Sequence, residues 1–310
     1  MNPKLRFLPA AAVVAVFAFA PSSAAAQAFT LPQGVGAVTL AWQYVDNTGH
    51  LLSDGYLRKA GQSVTTSADF ELDYGVTDRL SGTFGIPLVF AKYTGALPPP
   101  SMLPVDACRC WHSTFQDFSL AARYRFGDDP WAVTPVVRYI RPSHDYSYKG
   151  EAVAGRDLQE GQIGVFAAAR LGFLPNASVQ AGYTYAFVEK VLDIPLNRSN
   201  GYIGLGYALS RRLYVHADGL LLWTHGGLRA GSVTGHPFPF PGELGPPGSE
   251  RFAQRDRILK VRNWKVGGGL SYSAGPVDFF AAITKYVWGR DSHDGQAYTA
   301  GATWYFGLPN

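Results

Sequence analysis

From Ser63 to Tyr74 the chain alternates without a break between two kinds of residue. Val64, Thr66, Ala68, Phe70, Leu72 and Tyr74 fall on one parity, and Ser63, Thr65, Ser67, Asp69, Glu71 and Asp73 on the other. Successive side chains of a β-strand point to opposite faces, so the segment predicts a strand with one apolar face and one acid-bearing face. On a helix both sets would be spread around the circumference.

The same period of two recurs along most of the chain. Val38, Leu40, Trp42 and Tyr44 form one apolar face, and Leu80, Phe84, Ile86, Leu88 and Phe90 another. Nine further segments follow, beginning near Phe118, Trp131, Ile163, Val179, Ile203, Leu213, Trp264, Val277 and Tyr298. On the apolar parity of these twelve segments no Asp, Glu, Lys or Arg is expected. The opposite parity carries Asp69, Glu71, Asp73, Asp117, Arg123, Arg125, Arg138, Arg170, Asp218, Lys265 and Asp278. A soluble sandwich places charges on its outer face. A charge facing lipid at the bilayer midplane costs about 2–4 kcal/mol. The uncharged face is therefore expected outside, in hydrocarbon, and the charged face inside a lumen. Mean hydropathy is −0.03, too low for helical spans and ordinary for strands that are greasy on one side only.

The connections predict the same architecture. Links 46–61, 92–114, 142–157, 188–199, 224–262 and 289–296 are long, whereas 75–79, 127–130, 172–176, 210–212 and 274–276 are tight. Strict alternation of long and short links, with an even strand number, predicts short periplasmic turns and long extracellular loops. Aromatic residues fall at both strand ends: Tyr44, Phe90, Tyr139, Phe187, Trp223 and Trp264 at one, Tyr74, Phe126, Trp131, Tyr272 and Phe306 at the other. They are expected to form interfacial girdles. The fold class read from these patterns is all-β, a transmembrane antiparallel up-and-down barrel of about twelve strands.

The first residues read differently. Lys4 and Arg6 precede the apolar run Leu8 to Ala20, and Ser22-Ser23-Ala24-Ala25-Ala26 supplies small residues for cleavage. Residues 1–26 are expected to be a secretory signal peptide, and 27–310 the barrel domain. Without Lys4 and Arg6 the formal charge falls from +4 to about +2, which implies no nucleic-acid partner. The expected location is the bacterial outer membrane. Expected partners are membrane lipid and lipopolysaccharide, a small-molecule solute, and the barrel-assembly machinery through a final strand ending at Phe306.

The stretch Phe70-Glu71-Leu72-Asp73-Tyr74-Gly75-Val76-Thr77-Asp78-Arg79-Leu80, followed by Gly85-Ile86-Pro87, carries a resemblance. It resembles the hairpin signature of the outer-membrane transporter family named for the meta-pathway of phenol degradation. The specific likeness covers about one hairpin. It implies a barrel of this length and transport of hydrophobic or aromatic compounds, and it brings no defined site residues.

Candidate functional residues lie on the inward parity. Asp69, Glu71 and Asp73 share one strand, and Arg123 and Arg125 lie on a strand two positions further along; Arg138, Arg170, Lys265, Asp117, Asp218, Asp278 and His216 complete the set. They are lumen-lining candidates, either a selectivity lining or a salt-bridge filling. Cys108-Arg109-Cys110-Trp111-His112 admits a disulfide between Cys108 and Cys110, soft metal ligation with His112, or free thiols. Ser143-His144-Asp145 and Ser292-His293-Asp294 repeat a tripeptide in expected loops, but adjacent Ser, His and Asp cannot form a relay among themselves. The long link 224–262 reads as a lid over the pore, as a lipopolysaccharide contact through Arg251, Arg255, Arg257, Lys260 and Arg262, or as a solvated loop. No cofactor motif is present. The function expected is a channel for passive uptake of small solutes, hydrophobic or aromatic ones among them. The alternatives are an outer-membrane hydrolase with a rim site, and a structural barrel with a filled lumen.

Overall fold

A computed structural model describes residues 28–59, 61–95, 104–106, 108–231, 243–246 and 248–308. The expected signal peptide lies outside the described residues. In chain order the strands are β1 (Gly36–Leu51), β2 (Leu57–Arg58), β3 (Gly61–Gly75), β4 (Leu80–Gly95), β5 (His112–Phe115), β6 (Asp117–Tyr124) and β7 (Trp131–Pro142). They continue as β8 (Glu160–Arg170), β9 (Ala177–Val188), β10 (Arg198–Ala208), β11 (Leu213–Thr224), β12 (Arg262–Ala274), β13 (Val277–Arg290) and β14 (Ser292–Phe306). Two short helices, α1 (Glu250–Ala253) and α2 (Arg255–Ile258), lie between β11 and β12. β2 only extends the end of β1, and β5 and β6 are two halves of one strand broken at Gln116. Twelve strands remain, each antiparallel to its neighbours, and the last pairs with the first. That closure runs from Gly36↔Phe306 to Leu51↔Ser292.

Closure follows from the solvent the outer face demands. In hydrocarbon an unpaired N–H or C=O costs several kcal/mol, so a spanning sheet must leave no edge. One irregularity is visible. Leu80–Gly85 pair with β6 and Leu88–Ala91 with β5, and Pro87 between them has no N–H to donate. Its carbonyl accepts instead from the Gln116 amide at 2.9 Å.

The two faces sort as the alternation requires. Leu40, Val137, Ile203 and Leu205 are each more than half exposed on the outside, while Thr39, Ser67, Asp73, Thr134, Ser271 and Thr303 are buried within. A continuous apolar exterior of this kind is a lipid-facing surface. Tyr74, Phe126, Trp131, Tyr272 and Trp304 ring the turn end, and Tyr44, Tyr139, Phe187, Trp264 and Trp288 the loop end.

Two expectations need correction. The outer face is not free of charge: Arg141 on β7 and Lys285 on β13 are exposed and share the outward parity of Tyr139 and Ile283. Both sit toward the loop end of their strands, where a long side chain can carry its charge to the headgroups. The links are also shorter than expected on one side. β1 runs on to Leu51 and β14 starts at Ser292, so Asp291 alone joins β13 to β14 in place of a 289–296 loop. Hence His50 and Ser292-His293-Asp294 lie on paired strands, not in loops. The ladder continues beyond the apolar belt, where the polar-apolar alternation that marks a lipid-facing strand has ended.

The face assignment predicts unequal tolerance of a single arginine. Leu72→Arg and Val165→Arg place an unpaired charge in lipid and should each cost about 2–4 kcal/mol of insertion stability. Thr65→Arg and Gln180→Arg point into the lumen and should insert near the wild-type level. Heat-modifiable gel mobility of outer-membrane fractions reads the difference; equal defects would mean the faces are reversed.

Candidate functional site

The lumen is closed at the turn end by the chain's own N-terminal segment. Gly34 and Gly75 tie this segment to the β3 rim, and Gln33 N donates to Asp78 Oδ1 at 2.9 Å. Thr30 Oγ1 donates to the Asp78 carbonyl and Leu31 N to Ser81 Oγ. The segment then reaches β7, where Thr134 Oγ1 donates to the Ala28 carbonyl. There Ala28 is fully buried against Ala132, Ala168 and Phe166, all inward on β7 and β8. β7 lies four strands from β1 in the ring of twelve, so residues 28–33 run inside the barrel from the β3–β4 rim to the wall formed by β7 and β8.

Beside this plug lies a polar layer. Arg123 forms a buried ion pair with Asp73 at 2.5 Å, and Thr83 donates to the same carboxylate. Thr39 and Thr303 share a hydrogen bond of 2.9 Å. Tyr202 donates to Asp218 at 2.9 Å, and His216 lies 3.2 Å from the same carboxylate. Tyr305 and Ser273 bond Asp278. The anticipated charge set is thus only partly brought together. Arg125 turns to the Asp78 carbonyl and to Asp128 at 3.3 Å, and Arg170 to Asp129 at 3.1 Å, both at the turn rim. Asp117 accepts from Tyr146 at 2.5 Å, toward the loops. Asp69 and Glu71 point inward without an ion pair among the described residues.

At the loop end the described residues of the 224–262 link pack against neighbouring connections. Leu158, Leu196, Leu244 and Ile258 are fully buried together, against Ala186, Val188 and Val191, so three connections share one apolar core. Ser249 Oγ caps α1 by accepting from Phe252 N. Arg255 pairs with Glu151 at 2.9 Å and donates to the Gly150 carbonyl; Arg257 donates to the Asp157 carbonyl and stacks 4.0 Å over Tyr148. On the opposite wall Ala230 N donates to Asp291, which also accepts from Ser53. The described residues of the 224–262 link thus pack on the β7–β8 connection and on Asp291 between β13 and β14. Arg255 and Arg257 face the neighbouring loop, away from lipid, whereas Arg262 lies over the outward Trp223 ring at 4.0 Å. Burial pushes the Asp256 carboxyl up to about 6, although adjacent Arg255 pulls it down.

Within the barrel lies a chamber of about 440 Å³. Arg123, Arg138, Lys265 and Arg198 line it, with Asn200, Asn263, Gln162 and Tyr202 as neutral polar groups. Val136, Ile140, Phe166, Leu220 and Leu222 supply apolar wall. Arg198 is held by Glu160 at 2.6 Å, and Arg156 joins the same carboxylate at 2.8 Å.

Cys108 and Cys110 are joined as a disulfide. His112 Nε2 lies 2.7 Å from the Ala152 carbonyl, and among the described residues no group of three His, Cys, Asp or Glu could hold a metal ion. His144 lies between Ser143 at 2.9 Å and Thr114 at 3.0 Å, and the His293 ring lies tilted against that of His50 with centroids 4.9 Å apart. Neither tripeptide assembles a Ser–His–carboxylate relay.

Sequence reasoning missed Glu160 and Arg198, which lie at strand ends beyond the apolar runs. Extending the inward parity of β8 and β10 by one or two residues would have found both. It also missed residues 28–33, whose role has no periodic signal.

Two outcomes are expected here. Arg123→Ala leaves Asp73 buried without its cation and should lower unfolding stability by about 3–5 kcal/mol in a guanidinium titration. Asp256 has a folded-state value above its ordinary one, so the closed lid takes up a proton that the open lid does not until lower pH. The closed lid therefore gains stability as pH falls from 7 through about 6 toward 4. Hydrogen exchange across 250–258, corrected for intrinsic rates, should slow over that window, and Asp256→Asn should flatten the dependence.

No protein-family model and no curated protein matches the chain. Among solved structures, an outer membrane channel from Pseudomonas putida F1 superposes with a TM-score of 0.67 over 93% of this chain and 100% of that one, at 11% identity. The NanC porin (TM-score 0.47, 10% identity, 86% and 98% covered) and a TodX monoaromatic hydrocarbon channel mutant (0.42, 11%, 90% and 91%) are more distant. At these identities the likeness is one of fold: the chain has the outer-membrane β-barrel fold.

Proposed function

We propose that this chain is an outer-membrane channel for passive uptake of small solutes, hydrophobic and aromatic ones included. The observation that carries this is the chamber of about 440 Å³ inside a closed, lipid-facing barrel, with apolar wall and polar groups together. Sites of this size and mixed lining suit one small organic molecule. Of the lumen-lining candidates, Arg123, Arg138 and Lys265 border the chamber; Asp73 and Asp218 hold neighbouring groups in place.

The rest of the reading attaches to this. Residues 1–26 are removed on export to the outer membrane, and the strand ending at Phe306 is the one presented to the assembly machinery. Lipid and lipopolysaccharide surround the barrel; Arg262 over Trp223 and Arg290 at 5.9 Å from the Trp288 ring support phosphate contacts at the loop end. The phenol meta-pathway family remains the finer family reading, supported by the Tyr74–Leu80 turn. A second reading, a structural barrel, is favoured by one observation: residues 28–33 and a buried Arg123–Asp73 pair occupy space inside the turn half of the barrel.

Planar-bilayer recording separates the two. A channel should give discrete current steps, small in the full protein and several-fold larger when residues 28–33 are deleted. Silence of both forms, with normal heat-modifiable mobility, would leave the structural barrel.

A further inference from the structure

We infer that the chamber is a binding site for small amphipathic organic anions, monocarboxylates with an aromatic or short aliphatic body. The inference rests on the channel reading and names the substrate class of its chamber.

The first observation is charge. The residues lining the chamber include Arg123, Arg138, Arg198 and Lys265, and no Asp or Glu. Two of these cations are already committed, Arg123 to Asp73 and Arg198 to Glu160. Arg138 and Lys265 form no ion pair and no hydrogen bond among the described residues; Lys265 Nζ rests 4.5 Å from the Tyr286 ring centroid. Glu71 and Asp73 are the carboxylates whose charge reaches Arg138, and neither lines the chamber.

The second observation is placement. Arg138 stands on β7 and Lys265 on β12, five strands apart in a ring of twelve, so they approach the chamber from nearly opposite walls. A guanidinium and an ammonium drawn out of bulk water gain from a counter-charge, and a carboxylate fits the guanidinium fork with two parallel hydrogen bonds. Val136 and Ile140, on the same strand as Arg138, together with Phe166 and Leu220 provide a dry surface for the organic body. A neutral solute would use that surface but leave both cations without an ion-pair partner. An inorganic anion would satisfy the cations and leave the apolar wall wet. The amphipathic carboxylate uses both. The acids of β3, Asp69, Glu71 and Asp73, lie outside this lining.

Benzoate and benzamide, nearly the same shape and differing in charge, are the probes. Titration calorimetry of the full-length barrel in neutral detergent should show benzoate bound at least tenfold more tightly than benzamide. Arg138→Gln and Lys265→Gln should each weaken benzoate by about tenfold or more, as loss of a charge-assisted hydrogen bond does, and leave benzamide unchanged. Lys265→Arg should restore most of the benzoate affinity. Equal binding of the two probes, no benzoate binding, or benzoate binding indifferent to both glutamine variants would overturn the site. The wild-type comparison needs no variant to fold. Bilayer current in potassium chloride reports the channel separately: a conducting protein without benzoate preference sinks the anion site alone, and benzoate preference in a silent protein keeps the site and sinks the channel.

Discussion

Everything in this structure depends on the need to pair every backbone N–H and C=O in a medium that offers no water. An open sheet with the apolar exterior seen here would expose two unpaired edges to lipid. Pairing of β14 with β1 from Gly36↔Phe306 to Leu51↔Ser292 removes both. Once the ring is closed, the pleat sends every second side chain into lipid and every other one inward, so the same alternation that satisfies the membrane creates a polar lumen.

That lumen then has to be filled, hydrated or used. At its turn end the irregular segment 28–33 runs inside the wall, bonded to Asp78, Ser81 and Thr134. Irregular backbone at this depth is tolerated because it is shielded from lipid by the barrel wall. Its loop mouth is covered by a small apolar core around Leu158, Leu196, Leu244 and Ile258, built from three connections that have no regular sheet to join. The chamber within the barrel retains two cations, Arg138 and Lys265, that the barrel's own carboxylates do not pair. Structural ion pairs and the candidate site are thus neighbours on one inner wall, distinguished by which charges already have partners.

The alternation from Ser63 to Tyr74, repeated along the chain, by itself determined the strands, their inner and outer faces, the inward position of residues such as Asp73, Arg123, Arg138 and Lys265, and the alternation of turns and loops. These are local properties: parity of side-chain direction and the cost of charge in hydrocarbon act residue by residue. Where parity lost its apolar marker the reading stopped short, which is why β14 begins at Ser292 instead of near Tyr298, and why Lys285 on the outer face went unremarked. Only the tertiary structure decided which inward charges meet. Arg123 reaches Asp73 while Arg125, two residues on, turns to Asp78 and Asp128, because strand stagger and barrel radius set distances that a linear pattern does not contain. The same holds for residues 28–33 reaching β7 and for Arg255 pairing with Glu151: both are contacts between segments far apart in the chain, fixed by closure of the ring.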